Sequence, residues 1–420
     1  MFILNLIRNY MQNNLKLFAS ESVTEGHPDK VCDQISDAVL DALLAQDPLS
    51  RVAIETMVST GPVYVAGEVT TDGYADIESI VRKKIIEIGY DSAEKNFDGN
   101  TCGIITSITG QSAEIARGVD DSYETRESGQ KDEDGFLSQG AGDQGLMFGY
   151  ASNENPSYMP TAIDIAHSLA KALSSARKGS LSDMLFPDGK TQVVIGYNDR
   201  GVPVSVEHVL ISTQHSPKYS LEDVRKAVRD VVVIPTLDSY NKDLEASTRK
   251  GLTLANMNLL VNPAGSWTQG GPKADAGLTG RKIIVDTYGG FARHGGGNFH
   301  GKDPSKVDRS AAYMLRWVAK NAVAAGLADR LELQVCYAIG TAEPIALYIE
   351  TFGTNKLPDA EILAKIKKTF DFRPAAINKQ LGLTMVTNYQ EVAKYGHFGK
   401  NAIELDMPWE SLNKVEDLLR

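Results

Sequence analysis

The order helix, strand, strand, helix, strand occurs three times along this chain, and no other feature restricts its fold as much. In the first copy Val31, Ile35, Ala38, Val39, Ala42 and Leu43 share one stripe of a predicted helix over 28–46, with Pro28 near its start and Asp47-Pro48 as its stop. RVAIETMV and VYVAGEVT follow as strands broken at Gly61-Pro62, then the helix DIESIVRKKIIEIG and the strand TCGIITSI. The second copy reads helix 160–177, strands TQVVIGY and PVSVEHVLIS, helix 220–234 and strand NMNLLV. The third reads helix 307–325, strands LELQVCYAI and PIALYIETF and helix 358–370, with its last strand unclear. Copies this far apart are not a solenoid. Helices apolar on one stripe and strands that alternate predict an α+β class: three related domains in pseudo-threefold repeat, each a mixed, antiparallel-rich sheet with helices on one face.

The corresponding division is an N-terminal extension (1–16), an N-terminal domain (17–113), a flexible acidic lid loop (114–138), a central domain (139–258), a C-terminal domain (259–408) and a C-terminal tail (409–420). From Asp120 to Asp134 there are seven acidic and two basic residues. So little apolar surface does not offset the entropy of ordering, and both a solvated linker and a mobile lid fit.

A length of 420 residues also exceeds one ordinary core. The net charge of −11 argues against nucleic acid or an anionic membrane as partner. Cys32, Cys102 and Cys336 are widely spaced, as in a reducing compartment without disulfides or a zinc site. The start, MFILNLIRNYMQNN, is interrupted by Asn5 and Arg8, lacks a signal-length apolar run and reads as a frayed extension with Met11 as an alternative start. The expectation is a cytoplasmic protein.

Against that acidic background, residues 270–306 hold ten glycines, six Lys/Arg and three Asp. Glycines admit close backbone approach and clustered cations suit a ligand with several phosphates. Two motifs nearby mislead. Gly140–Gly145 (GAGDQG) matches GxGxxG, but the charged segment, not a strand, precedes it, so it is no dinucleotide fingerprint. GGNFHGKD at 296–303 ends in Asp303 where a P-loop needs Ser or Thr, and no hydrophobic strand leads into it.

SESVTEGHPDK at 20–30, GAGDQG at 140–145, GLTGRKIIVDTYGG at 277–290 and HGGGNFHGKDPSKVDRS at 294–310 together resemble the methionine adenosyltransferase (S-adenosylmethionine synthase) family, over about residues 17–410. The resemblance implies three related α+β domains and a reaction joining ATP to L-methionine. The thioether sulfur attacks C5′, triphosphate leaves, and the same site hydrolyses it to phosphate and diphosphate. A thioether brings its own lone pair, and the chain has no GxSxG elbow or Cys/His signature. Alignment and charge stabilisation are left to the protein.

By motif, the resemblance puts His27 at the oxygen leaving C5′, and Lys190, Arg281, Lys282 and Lys302 on the triphosphate, with Asp188 and Gly189 beside it. Asp29 and Asp308 correspond to ligands of two magnesium ions per site, and Glu55 to a potassium ligand. Asp275 meets both the methionine amino group and the nucleotide; Glu68, Gln111 and Lys306 meet methionine. Asn298, Ser266 and Trp267 fall at adenosine, although many members carry Phe where this chain has Trp267. Taken singly, each has a plainer reading: His27 as a helix-start hydrogen bonder, Asp29 as an N-terminal helix carboxylate, Asp308 and the lysines as surface charges, Glu55 as an exposed strand position. The acidic segment aligns with the family's active-site loop, longer here than in some relatives. Family members form homodimers that share active sites and commonly pair into homotetramers. A non-catalytic nucleotide sensor would have dropped His27 and the aspartates, and a kinase or ATPase lacks its signatures here.

Overall fold

The computed structural model describes residues 15–420. The extension and Met11 lie outside them, apart from Leu15 and Lys16. In chain order the first copy comprises β1 (Lys16–Val23), α1 (Pro28–Leu44), β2 (Arg51–Val58), β3 (Pro62–Thr70), α2 (Ile77–Ile88) and β4 (Gly103–Thr109). The second comprises β5 (Gly145–Ser152), α3 (Thr161–Lys178), β6 (Leu185–Tyr197), β7 (Pro203–His215), α4 (Leu221–Ala227), α5 (Ile234–Ala246) and β8 (Asn258–Val261). The third comprises β9 (Gly277–Leu278), α6 (Val307–Ala324), β10 (Arg330–Tyr337), β11 (Ala346–Glu350) and α7 (Asp359–Thr369).

Two mixed four-stranded sheets, β9-β2-β3-β4 and β1-β6-β7-β8, and one antiparallel three-stranded sheet, β11-β10-β5, result, beside a two-stranded ribbon of Asp91–Ser92 and Phe97–Asp98. In the two four-stranded sheets an antiparallel hairpin lies at the centre and a parallel strand closes one edge; in the third the hairpin β10–β11 takes up one edge. The third copy's unclear last strand has no counterpart among the described residues. The leading strand of every copy leaves its own sheet: β1 joins the second, β5 the third and β9 the first, all antiparallel. The domains are therefore interlocked in a ring. Neither β1 nor β5 is expected from the sequence pattern, because each is a short run enclosed by loop-like residues.

The long helices α1, α3 and α6 pack on β2, β6 and β5. Every residue of α1 except Ala42 is buried, so this helix is covered on its polar side as well. The predicted helix 220–234 continues instead to Ala246 through a π-helical turn, Val228–Val233. Pro235 lacks an N–H and its ring clashes with the carbonyl four residues back; widening the turn by one residue relieves both, and the helix does not stop.

Two segments are more ordered than their composition suggests. The acidic segment contains helices Ala113–Asp120 and Tyr123–Ser128. Glu124 accepts the Ala342 and Glu343 N–H groups at 2.9 and 3.0 Å, and Asp132 binds Arg373 at 2.6 Å. Two of its acidic residues thus dock it on the third domain, while Asp120, Asp121, Glu127, Glu133 and Asp134 stay exposed. The tail 409–420 is stitched to α6, with Trp409 and Leu418 fully buried. Among the described residues no helix is long and apolar enough to cross a membrane.

His167 of α3 binds Ser22 of β1 through Nδ1 at 2.8 Å, and burial depresses its pKa to about 3. The unfolded chain takes up this proton below about pH 6.5, the folded chain only near 3, so stability falls as pH drops through 6.5. At pH 5 this one group contributes a loss of about 2 kcal/mol. Asp164, raised by burial to about 6, titrates with the opposite sign, so a difference measurement isolates the histidine. His167→Gln is expected to shrink the fall in thermal midpoint between pH 7 and 5; an unchanged fall refutes the assignment.

Candidate active site

His27 caps α1 in extended conformation, where Nδ1 accepts the Asp29 N–H at 3.2 Å. With Nδ1 the acceptor, a neutral ring carries its proton on Nε2. Burial, then Lys282, Lys190 and Lys30, holds the pKa near 3 against the pull of Asp29, so the ring is neutral at physiological pH. Asp29 accepts the Leu278 N–H at 3.0 Å and the Lys282 ammonium at 2.6 Å, with Arg281 at 3.7 Å. Burial pushes its carboxyl up, but Lys282 and the Leu278 amide outweigh burial and hold it below the usual range.

A second carboxylate–lysine pair joins Asp308, in the first turn of α6, to Lys302 at 2.6 Å. The backbone of Lys302 bridges Ala53 of β2. Two residues along that strand, Glu55 lies exposed on the outer face yet ringed by protein; this desolvation raises its pKa to about 6 against the pull of Lys302. Asp188 sits at a bulge in β6 and accepts the Gly271 N–H at 2.8 Å. Burial lifts it to about 7; the Gly271 amide and Lys190 oppose this and Asp275 adds to it. Its other oxygen, Oδ1, is buried without a partner. The Gly189 carbonyl accepts the Thr24 N–H at 2.9 Å, tying this strand to the loop that carries His27.

Residues of all three domains thus meet in one group, His27 and Asp29 from the first, Asp188, Gly189 and Lys190 from the second, and Asp275, Arg281 and Lys282 from the third, while Glu55, Lys302 and Asp308 form a second. Asn298 packs beneath Gly280, next to Arg281. Trp267 accepts the His215 N–H at its carbonyl (2.9 Å) and donates its own N–H to the His215 ring Nε2 (3.2 Å) at the end of β7, its indole N–H held by the Gln269 carbonyl at 2.7 Å. Glu68 is paired with Ala53, across the strand from Lys302. Lys306 is engaged by buried Asp303 at 2.5 Å. Gln111 and Ser266 stand apart, the first beyond β4 with its N–H on Thr70, the second exposed in irregular chain beyond β8.

The glycines are there for a different reason from the one their composition suggests. A Cβ at Gly277 would lie 2.1 Å from the Pro28 carbonyl oxygen, one at Gly295 1.6 Å from that of Leu146, and one at Gly301 1.9 Å from that of Ile54. These positions let the cation-bearing loop lie against the protein's own backbone. Gly140 of the false dinucleotide motif likewise packs on Gly340.

Sequence reasoning missed a buried group beneath this site. Lys30 bonds Asp286 and lies 3.0 Å from Asp33. His300 Nδ1 is 3.2 Å from Asp33, His300 and His397 share an Nε2···Nε2 bond of 2.9 Å, and the Tyr313 hydroxyl pairs with His397 Nδ1 at 2.7 Å. Asp286, His300 and His397 converge as a metal triad does, but the Lys30 ammonium already occupies the carboxylate. The buried cation here is the protein's own. The Lys30/Asp33 spacing within GHPDKVCD is the signal that could have found it.

Residues 15–113, 138–267 and 269–411 match the N-terminal, central and C-terminal domains of S-adenosylmethionine synthetase. The chain belongs to the S-adenosylmethionine synthetase family. Proteins named S-adenosylmethionine synthase from Corynebacterium urealyticum and Leifsonia xyli are each 56% identical to it, over 96% of this chain and 98% of theirs. One from Nocardia farcinica is 55% identical over 96% and 97%. The family is one of transferases, and three domains of sheets and helices are its architecture here.

Proposed function

We propose that the chain forms S-adenosylmethionine from ATP and L-methionine, with phosphate and diphosphate as the other products. The observation that carries this is the meeting of Lys190 and Lys282 at a neutral, Nε2-protonated His27, with Arg281 beside Asp29. The methionine sulfur donates its lone pair to C5′, the C5′–O bond breaks, and its electrons stay on the triphosphate. His27 Nε2–H donates to the departing oxygen, and Lys190, Arg281, Lys282 and Lys302 take up the growing charge on the phosphates. Water then cleaves the triphosphate in place. Cys32 is no rival nucleophile: burial, Asp33 and Asp29 push its thiol far above the ordinary value.

The unpaired Asp188 Oδ1 supports a ligand beside Gly189 and Lys190. Asp275 orients the methionine amino group and the nucleotide, Glu68 and Gln111 hold methionine, and Lys306 shares its ammonium between Asp303 and the substrate carboxylate. Ser266, Trp267 and Asn298 receive adenosine, Trp267 by its wide face.

Asp29 and Asp308 suit magnesium: both are hard, acceptor-only carboxylates whose present partner is a lysine at 2.6 Å, and Gly297 leaves Asp308 room that a Cβ would fill. Two such ions, when bound, neutralise phosphate charge and leave Lys282 and Lys302 to the triphosphate. Glu55 suits potassium, since a cation favours ionising a carboxylate that burial holds near pH 6.

A second copy of the chain completes the assembly as a homodimer, paired further into a homotetramer. In support, Leu278, Met57, Tyr64 and Ile105 form one row across all four strands of the first sheet, each at least 40% exposed. Glu55 and Glu68 lie on the same uncovered face, so a partner seated there borders the site. The docked segment 114–138 acts as the lid. Free Cys32, Cys102 and Cys336 fit the cytoplasm.

Incubation of the protein with ATP, methionine, magnesium and potassium tests the reading. A sulfonium product with phosphate and diphosphate is expected; phosphate release without the sulfonium, or a covalent protein adduct on the path, overturns it.

A further inference from the structure

Helix α1 carries an aspartate at every fourth position: Asp29, Asp33, Asp37 and Asp41. All four are buried, and each accepts backbone N–H groups from the third domain. Asp29 takes Leu278 at 3.0 Å, Asp33 takes Gly280 at 2.9 Å, Asp37 takes Gly301 at 2.8 Å, and Asp41 takes Tyr389 at 2.9 Å and Gln390 at 3.1 Å. Four residues of helix rise about 6 Å, close to the roughly 6.7 Å spanned by two residues of extended chain. The first two rungs therefore match Leu278 and Gly280 in step. The two inner rungs also carry permanent countercharges: Lys30 on Asp33, and the Arg309 guanidinium on Asp37 at 2.5 Å.

What the inner rungs hold is specific. Gly280 immediately precedes Arg281 and Lys282, and Gly301 immediately precedes Lys302. His27 and Asp29 stand at the N-terminus of the same helix. One helix thus fixes the leaving-group donor of the first domain relative to the phosphate cations of the third.

We propose that Asp33 and Asp37 are positioning residues for adenosyl transfer: they set the register of the cation-bearing turns against α1, so that Arg281, Lys282 and Lys302 meet the triphosphate without rearrangement. The inference rests on the function proposed above, because it concerns how those cations are held.

The test separates length from charge. Asp33→Asn keeps side-chain length and an oxygen for the Gly280 N–H but loses the charge; Asp33→Glu keeps the charge but adds a methylene and displaces the turn. Positioning predicts that kcat falls on the order of 10- to 100-fold in Asp33→Glu and stays within about threefold of wild type in Asp33→Asn. Asp37→Glu and Asp37→Asn repeat the comparison through Lys302. Asp41→Glu makes the same change on a rung that carries no cation, so its kcat stays at wild type although its thermal midpoint falls comparably. A reversed order of Asn and Glu variants, or equal kcat losses in Asp33→Glu and Asp41→Glu, overturns the proposal.

Calorimetric binding of inorganic tripolyphosphate supplies a readout apart from turnover. If wild type makes no sulfonium, the reaction reading fails, and the ladder is judged on whether tripolyphosphate affinity follows the same order among variants. Should the lengthened variants not fold, amide exchange in the wild-type protein decides. Gly280 and Gly301 N–H groups are expected to be slow; exchange at the rate of an exposed loop overturns the ladder.

Discussion

Replacing Lys302 with alanine is expected to slow sulfonium formation on the order of 10²–10³-fold, and Arg281→Ala by a similar factor, the usual cost of losing one preorganised charge-stabilising donor. Lys302 is held from two sides: its backbone bridges Ala53, and its ammonium rests 2.6 Å from Asp308. It enters the reaction already placed. Its interaction with the phosphates strengthens as the C5′–O bond breaks, so kcat and kcat/KM should fall together rather than KM alone rising. Arg281 is half exposed and only 3.7 Å from Asp29, a loose tether that leaves its fork free to engage phosphate. Neither variant should lose much stability, because these pairs are partly solvated. Steady-state rates with both substrates decide: near wild-type turnover in both variants removes the charge-stabilising role, and a pure KM effect reassigns it to ground-state binding.

The three long helices and the central hairpins were legible because each buries one stripe or one face, and periodicity reports that directly. The prediction of 28–46 meets α1 at Pro28–Leu44, and RVAIETMV coincides with β2. The exchange of leading strands was not legible. KLFASESV and GLMFGYAS are ordinary short runs, and their partners lie more than a hundred residues away. Pro235 misled because a proline ordinarily ends a helix. The ladder hid for a related reason: an aspartate at every fourth position normally marks a helix's solvent face, and only the third domain's loop lying on α1 makes that face interior. In the site, the cations and His27 stand in motifs, and Lys30 and Asp33 are hinted at by their spacing in one of them, whereas Asp286, His300 and His397 could not be read, since nothing in a sequence says which distant charges will be buried together.

The largest effect on stability is expected at Glu410, in what the sequence presents as a tail. Its carboxylate binds Arg316 Nε and Nη2, each at 3.0 Å, and the Lys320 ammonium at 2.7 Å, and it accepts the Gly399 N–H at 2.7 Å. Arg316 spends its remaining donors on the Tyr150, Tyr158 and Ser157 carbonyls, so all five N–H groups are used and the side chain cannot turn to water. Burial pushes the Glu410 carboxyl up, but Arg316 and Lys320 outweigh it and hold the pKa below the ordinary value. The stability this contributes is present above about pH 4.5 and is lost as pH falls through the folded value. Glu410→Ala strands two buried cations at once, at a cost of roughly 3–5 kcal/mol. Glu404→Ala, which breaks the exposed pair with Lys171, should cost under about 1 kcal/mol. Calorimetric unfolding of both variants at pH 7 makes the comparison. A similar small shift in each would mean that the residues after 408 hang on the surface of the third domain rather than hold α6 in place.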